Sequence, residues 1–322
     1  MINPNLSDEY SNAPKEQKLN IESLSFVEKK MIEAFGATLT NADEFDSNDG
    51  WVLIWERLVK LRCQLYVLPG GAIGRRVVSF FAEEVKLFGQ GLKKSEIHMC
   101  FLPLMLNKVK DIKKTADIRR LLNKRLKLWE EKKYEELICE AEMNDKQLPK
   151  RNAHITEQDA YKIFNRLALQ GKLRSACRFI TERESGVRVM TPDEKDEQGK
   201  TIFEGLQDKH PEQVEAHPDA FQQCDELPYL VEVDITAAHV EKAARSLSGG
   251  AGPTGVDGDQ MSSLLLKYGS QSAKLREAFA LSIRKLANQI VEWKEIRAMN
   301  AKREIALSKI KGFRPIGVGE SF

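Results

Sequence analysis

Arg303-Glu-Ile-Ala-Leu-Ser-Lys-Ile-Lys-Gly-Phe-Arg-Pro-Ile-Gly-Val-Gly-Glu-Ser-Phe322 holds two short apolar runs, Ile305-Ala306-Leu307 and Pro315 to Val318, on either side of Lys311-Gly312. Glycine reaches positive φ without steric cost, so Lys311-Gly312 predicts the turn of a β-hairpin. Arg303, Lys309, Lys311 and Arg314 make that hairpin basic. A two-stranded hairpin is marginal alone in water, because its faces and edges lack partners. The stretch is therefore expected to run on into a larger sheet, and the chain reads as a fragment cut inside a folded unit.

Upstream the pattern is helical. Trp51, Leu53, Ile54, Leu58 and Leu61 recur at spacings of three and four, which predicts one buried helix face. Leu68-Pro-Gly-Gly71 ends that helix, and Val77 to Phe88 predicts the next, with Val77, Val78, Phe80, Phe81, Val85 and Phe88 inward. His98 to Val109 is apolar, with Pro103 inside it predicting a kink or a late start. Ile112 to Ala141 is the longest periodic run. Within it, Lys108 to Lys133 holds eleven basic and four acidic residues, a dense cationic face. Further helices are predicted over Glu157–Gln170, capped by Thr156, and over Gly171–Ile180, with a weak strand at Val187–Met190 and an apolar stretch from Ile202 to Leu206 leading to Lys209-His-Pro211. Beyond a Pro-punctuated stretch, Thr236 is placed to cap Ala237–Leu247. A Gly-rich loop follows, then helices over Asp257–Tyr268 and Ser272–Trp293.

The organisation so predicted is a disordered tail over 1–22, a helical leader over 23–210, a linker over 211–232 and a smaller unit over 233–322. A short amphipathic helix is expected at Leu24–Phe35. The fold class is mainly α, with one C-terminal hairpin.

Composition limits the function classes. The 322 residues are 42% hydrophobic and 30% charged with a net charge of +2, which is ordinary for a soluble chain. Cys63, Cys100, Cys139, Cys177 and Cys224 include no CxxC pair, which argues against a zinc ribbon or a disulfide framework and for a reducing compartment. The N-terminal residues lack the basic and apolar regions of a signal peptide. No uncharged apolar run approaches the roughly 20 residues of a membrane span. An intracellular protein, cytoplasmic or nuclear and not secreted, is the expectation, with no membrane partner.

Lys311-Gly-Phe-Arg-Pro-Ile-Gly-Val318 resembles the K-G-x-R-P-I-x-V fingers hairpin of eukaryotic retroelement reverse transcriptases. Leu247-Ser-Gly-Gly-Ala-Gly-Pro-Thr-Gly-Val-Asp257 resembles the G-P-D-G loop that precedes those fingers, with Thr254 where the acid usually stands. Glu292-Trp293, Ala298 and the Arg303-x-x-x-Leu307-x-Lys309 spacing fill the interval as that family does. The likeness is closest over 233–322 and extends more loosely back to about Trp51. It implies that 233–322 is the start of a reverse transcriptase domain, cut before the palm. It further implies RNA-directed DNA synthesis in the intact retrotransposon protein, with RNA or DNA template and primer as partners and Mg²⁺ as its cofactor. Lys309, Lys311 and Arg314 fall on the basic hairpin positions and are the implied nucleotide or template contacts. Arginine suits two-point phosphate contact, while lysine acts as a point charge.

Two-metal nucleotidyl transfer needs closely spaced aspartates, and the family supplies them from an aromatic-x-Asp-Asp turn. No Asp-Asp dipeptide occurs in this chain, so no catalytic residue and no cofactor of its own are expected, and polymerase activity is not expected of it alone. Arg119, Arg120, Lys124 and Arg125 are candidates for sequence-independent contact with a nucleic-acid backbone, against the alternative of a solvated helix face. Gly250-Ala-Gly-Pro-Thr-Gly255 formally satisfies G-x-G-x-x-G. It follows a predicted helix rather than a strand, and Pro253 removes a donor, so a turn between helices is the better reading. His98-x-Cys100 and the pair His210 and His217 are the only clusters resembling metal ligands, and neither has a second set of donors. The alternative function is a non-enzymatic helical protein-interaction module retained from a retroelement.

Overall fold

The computed structural model describes residues 48–148, 156–171, 173–184, 189–196, 198–210, 231–309 and 312–321. The expected tail over 1–22, the helix at Leu24–Phe35 and most of the linker, 211–230, lie outside them. The described residues belong to one unit, Asn48–Phe322, which is mainly helical with a small three-stranded antiparallel sheet near its C-terminus.

Helix α1 (Asn48–Leu58) turns Trp51, Ile54, Trp55 and Leu58 into the core, the spacing that 100° per residue dictates. Leu53, expected on that face, points to solvent, and Trp55 takes its place. Helix α2 (Ala72–Gly89) follows the Pro69-Gly-Gly71 break and buries Val77, Val78, Phe81, Val85 and Phe88; Phe80 is only half-buried. Helix α3 (Ser95–Leu106) is buried on every side, as a helix apolar all round must be. It continues through Pro103, which costs one backbone bond inside an otherwise fully packed segment.

The long periodic run is two helices, α4 (Thr115–Glu130) and α5 (Tyr134–Gln147). Lys132 breaks it with a φ of 57°, and α5 folds back so that Leu122, Leu126, Leu137 and Ile138 all enter the core. Periodicity misses this break because Glu130 to Lys133 carries no apolar residue to mark the phase. Helices α6 (Glu157–Leu169) and α7 (Leu173–Glu184) form a helical hairpin, with the Thr156 hydroxyl accepting from the Asp159 N–H at 3.2 Å. Strand β1 (Val189–Met190) and helix α8 (Ile202–Asp208) follow; a Thr201–Glu204 capping box starts α8.

Beyond 230 the elements are α9 (Ala237–Ser246), α10 (Gly258–Leu266), α11 (Ser270–Asn288), α12 (Trp293–Ile296), β2 (Arg303–Ser308) and β3 (Phe313–Val318). The helix expected to reach Trp293 stops at Asn288. There its side-chain amide exchanges two hydrogen bonds with the Val233 backbone, at 2.8 and 3.0 Å.

Leader and C-terminal helices share one core. The Tyr268 hydroxyl donates to the Leu68 carbonyl at 2.8 Å, and the Ser282 hydroxyl lies 3.0 Å from the Val85 carbonyl. The buried Glu96 carboxylate accepts from Arg297 at 2.6 Å. An aromatic chain runs through this core: Trp51 to Trp129 (centroids 5.5 Å apart), Trp129 to Phe101 (4.8 Å), Phe101 to Phe81 (5.9 Å) and Phe81 to Phe279 (6.1 Å). It spans α1, α4, α3, α2 and α11, and such ring pairs add about 1 kcal/mol each beyond their burial.

Candidate nucleic-acid interface

Strands β2 and β3 pair antiparallel from Arg303↔Val318 to Ser308↔Phe313. Gly312, at φ 69°, supplies the left-handed residue the turn needs, and the Lys309 N–H donates to its carbonyl at 3.0 Å. Strand alternation sends Ala306 and Phe313 to one face, where they bury against Ile202 and Leu206 of α8 and against Met190. Burial of a ring such as Phe313 contributes about 2 kcal/mol. Lys209 sits 4.0 Å above that ring and donates to the Phe313 carbonyl at 3.0 Å. Strand β1 adds a third strand to the hairpin through Val189↔Leu307 and Met190↔Ala306. The hairpin thus finds its partners within the chain: a short strand on one edge and a short helix on one face.

The hairpin base meets the Gly-rich loop. Glu320 accepts from the Thr254 N–H at 2.7 Å and from its hydroxyl at 2.6 Å. The Arg303 guanidinium donates to the Pro253 carbonyl at 3.1 Å. A Cβ on Gly252 would lie 2.8 Å from the Gly319 backbone, so only glycine permits this approach. The loop joins two helices, α9 and α10, with no strand before it, and its Thr254 donors are taken by Glu320. That is not the geometry of a dinucleotide cradle.

At the other end of the hairpin, Lys309 and Arg314 are exposed, and neither is ion-paired among the described residues. Lys311 lies outside the described residues. Alternation places Arg314 on the face opposite Phe313, away from α8.

The four α4 candidates do not form one face. Arg125 is 1% exposed: its guanidinium donates to the carbonyls of Met105 (2.8 Å) and Asn107 (2.7 Å) and to Glu140 (2.9 Å). Burial pushes its pKa down and Glu140 opposes that shift. Arg125 is a core anchor and cannot reach a phosphate, which corrects its assignment to the backbone-contacting set. Arg120 and Lys124 are exposed but paired, with Asp117 at 3.1 Å and Glu140 at 3.2 Å. Arg119 is exposed and lines a cleft of about 400 Å³ with Gly70, Gly71, Arg76 and Asn123. Arg76 is itself held by both oxygens of Glu130, at 2.8 and 3.0 Å.

Among the described residues, no group of three or more His, Cys, Asp or Glu side chains converges to hold a metal ion. His98 and Cys100 are core residues of α3. The His98 ring lies 4.8 Å from Phe88, and burial lowers its pKa to about 3 while raising that of the Cys100 thiol. His210 pairs with Glu304 at 2.5 Å, and His217 lies outside the described residues. Cys63, Cys100, Cys139 and Cys177 are free thiols, and Cys224 is also outside the described residues. No described helix is long and apolar enough to cross a membrane.

Sequence reading noted Thr254 without assigning it a partner, and passed over Glu320. The departure of Thr254 from the G-P-D-G pattern was the available signal: a donor replaces an acid in the loop, and an acid stands near the hairpin base. No family model matches the chain, and no curated protein or solved structure matches it.

Proposed function

We propose that this chain is the helical leader and first fingers hairpin of a retroelement reverse transcriptase, an RNA-directed DNA polymerase. Its own part is to hold nucleic acid rather than to extend it. One observation carries this reading: the Gly-rich loop and the base of the hairpin, the two elements of the resemblance, meet through Arg303 to Pro253, 50 residues apart in the chain, and Thr254 to Glu320, 66 apart. They form one local unit whose far end carries Lys309 and Arg314, exposed and unpaired among the described residues. Those two cations, with Lys311 between them in sequence, are assigned to template or nucleotide phosphates. The leader's role in this reading is to brace the hairpin, since its most buried cation, Arg125, is spent inside the core.

A second reading, a helical protein-interaction module retained from a retroelement, is favoured by the apolar side chains exposed on the α6–α7 hairpin. Tyr161, Leu169 and Leu173 are 68%, 90% and 63% exposed.

Salt-titrated binding of the full chain to single-stranded DNA, duplex DNA and structured RNA separates the two. The polymerase reading expects salt-sensitive binding, with no primer extension when Mg²⁺, template and nucleotides are supplied. Absence of binding at low salt would remove it and leave the interaction module.

A further inference from the structure

The hairpin base and the Gly-rich loop are joined by a single carboxylate. Each oxygen of Glu320 takes one donor of Thr254: the N–H at 2.7 Å and the hydroxyl at 2.6 Å. Thr254 is fully buried, and the close glycine approach between 252 and 319 keeps side chains out of the junction. The charged or titratable groups facing Glu320 are Arg303 of β2 and the Cys63 thiol after α1, which burial pushes up to about 12 and so keeps neutral. The bonds to this carboxylate and the Arg303–Pro253 bond are the side-chain hydrogen bonds that join the base of the hairpin to the 247–257 loop among the described residues.

We propose that Glu320, seated on Thr254, is a protonation-sensitive latch that sets how firmly the basic hairpin is docked on the Gly-rich loop. Both protonation states fit the seat. Ionised, the carboxylate accepts both Thr254 donors. Neutral, one oxygen still accepts the N–H, while the carboxyl O–H donates to the Thr254 hydroxyl oxygen, which can accept as well as donate. The states differ in the charge that docking removes from water. Burial raises the Glu320 pKa, and the Thr254 bonds and Arg303 only partly offset it. A carboxyl with a raised pKa in the docked state holds its proton more tightly docked than free. Docking is therefore strongest at low pH and weakens as pH rises through the docked pKa.

The test is hydrogen–deuterium exchange on the full chain, comparing β2 and β3 amides with those of α3 as an internal reference. Relative to α3, and corrected for intrinsic exchange, β2–β3 protection is expected to fall as pH rises from about 4, below the free carboxyl's pKa, to about 8. Glu320→Gln should hold protection high and flat with pH, because its carbonyl accepts the Thr254 N–H and its amide donates to the hydroxyl oxygen. Glu320→Ala should be low and flat. Wild-type protection that stays flat or rises with pH overturns the latch, as does a Gln variant that matches the Ala variant. An identical trend in α3 also overturns it, since the effect would then be global. If the Ala variant loses its circular dichroism signature, the wild-type profile and the Gln variant still decide. No nucleic acid enters this measurement, so its outcome is independent of the template-binding reading.

Discussion

Two cationic regions of this molecule have opposite fates. Along α4 the sequence concentrates positive charge, yet Arg125 is buried on Glu140 and two backbone carbonyls, and Arg120 and Lys124 are each held by an acid. At the hairpin tip the charges are fewer, but Lys309 and Arg314 are exposed and unpaired among the described residues. Charge density along a chain measures how many cations there are. Availability for a phosphate depends on what else has reached them first. Exposed pairs such as Arg120–Asp117 hold their partners by less than about 1 kcal/mol and could be recruited, whereas a buried arginine cannot.

The sharpest way to break this contrast is Arg125→Gln. Removing one partner of a buried, hydrogen-bonded charge pair leaves Glu140 and the Met105 and Asn107 carbonyls short of a donor. Urea unfolding should show a loss of about 3 kcal/mol or more. A loss below about 1 kcal/mol would mean that Arg125 is not the anchor its hydrogen bonds describe.

The same core should be acid-sensitive in a way the hairpin latch is not. Unfolded His98 takes up its proton at its ordinary pKa of 6.5, but the folded, buried ring does so only at about 3. Between those values the unfolded state binds more protons, so the His98 contribution falls as pH drops, by about 2 kcal/mol at pH 5. The stability of wild type minus that of His98→Leu, measured at pH 7 and again at pH 5, should therefore be lower at the lower pH. A difference that stays constant would place a charged or solvated histidine where the structure has a neutral one. Hairpin docking is expected to move the other way, tightening in acid.

The smallest effects test the cations themselves. Replacing Lys309, Lys311 and Arg314 together by Gln should reduce the log–log salt slope of nucleic-acid binding by about one unit per phosphate left without its cation, with little change in melting. The matching change of Arg119, Arg120 and Lys124 should reduce it by less than about one unit, because only Arg119 has no acidic partner among the described residues. Equal reductions would erase the distinction between the two regions.

Much of the architecture was legible locally. Helix faces follow from apolar spacing, as in α2. Thr156 and Asp257 stand where helix starts need them, and Gly312 marks the hairpin turn. Local reading failed where the decisive partner lay far along the chain. The Lys132 break inside a continuous charged stretch matters only because α5 must fold back onto α4. The early end of α11 depends on Val233, and β1 has meaning only beside β2. The outward turn of Leu53 escaped a count of apolar residues that did not ask which side of α1 the core occupies.

By itself, then, the sequence determined the elements: sterics, capping and periodicity act over a few residues and need no distant partner. Tertiary structure alone decided the state of the charges. Whether Arg125, Arg314 or Glu320 is free, paired or buried depends on side chains that meet only after the chain has folded. The cost of removing a charge from water is set by that whole environment rather than by its neighbours in sequence.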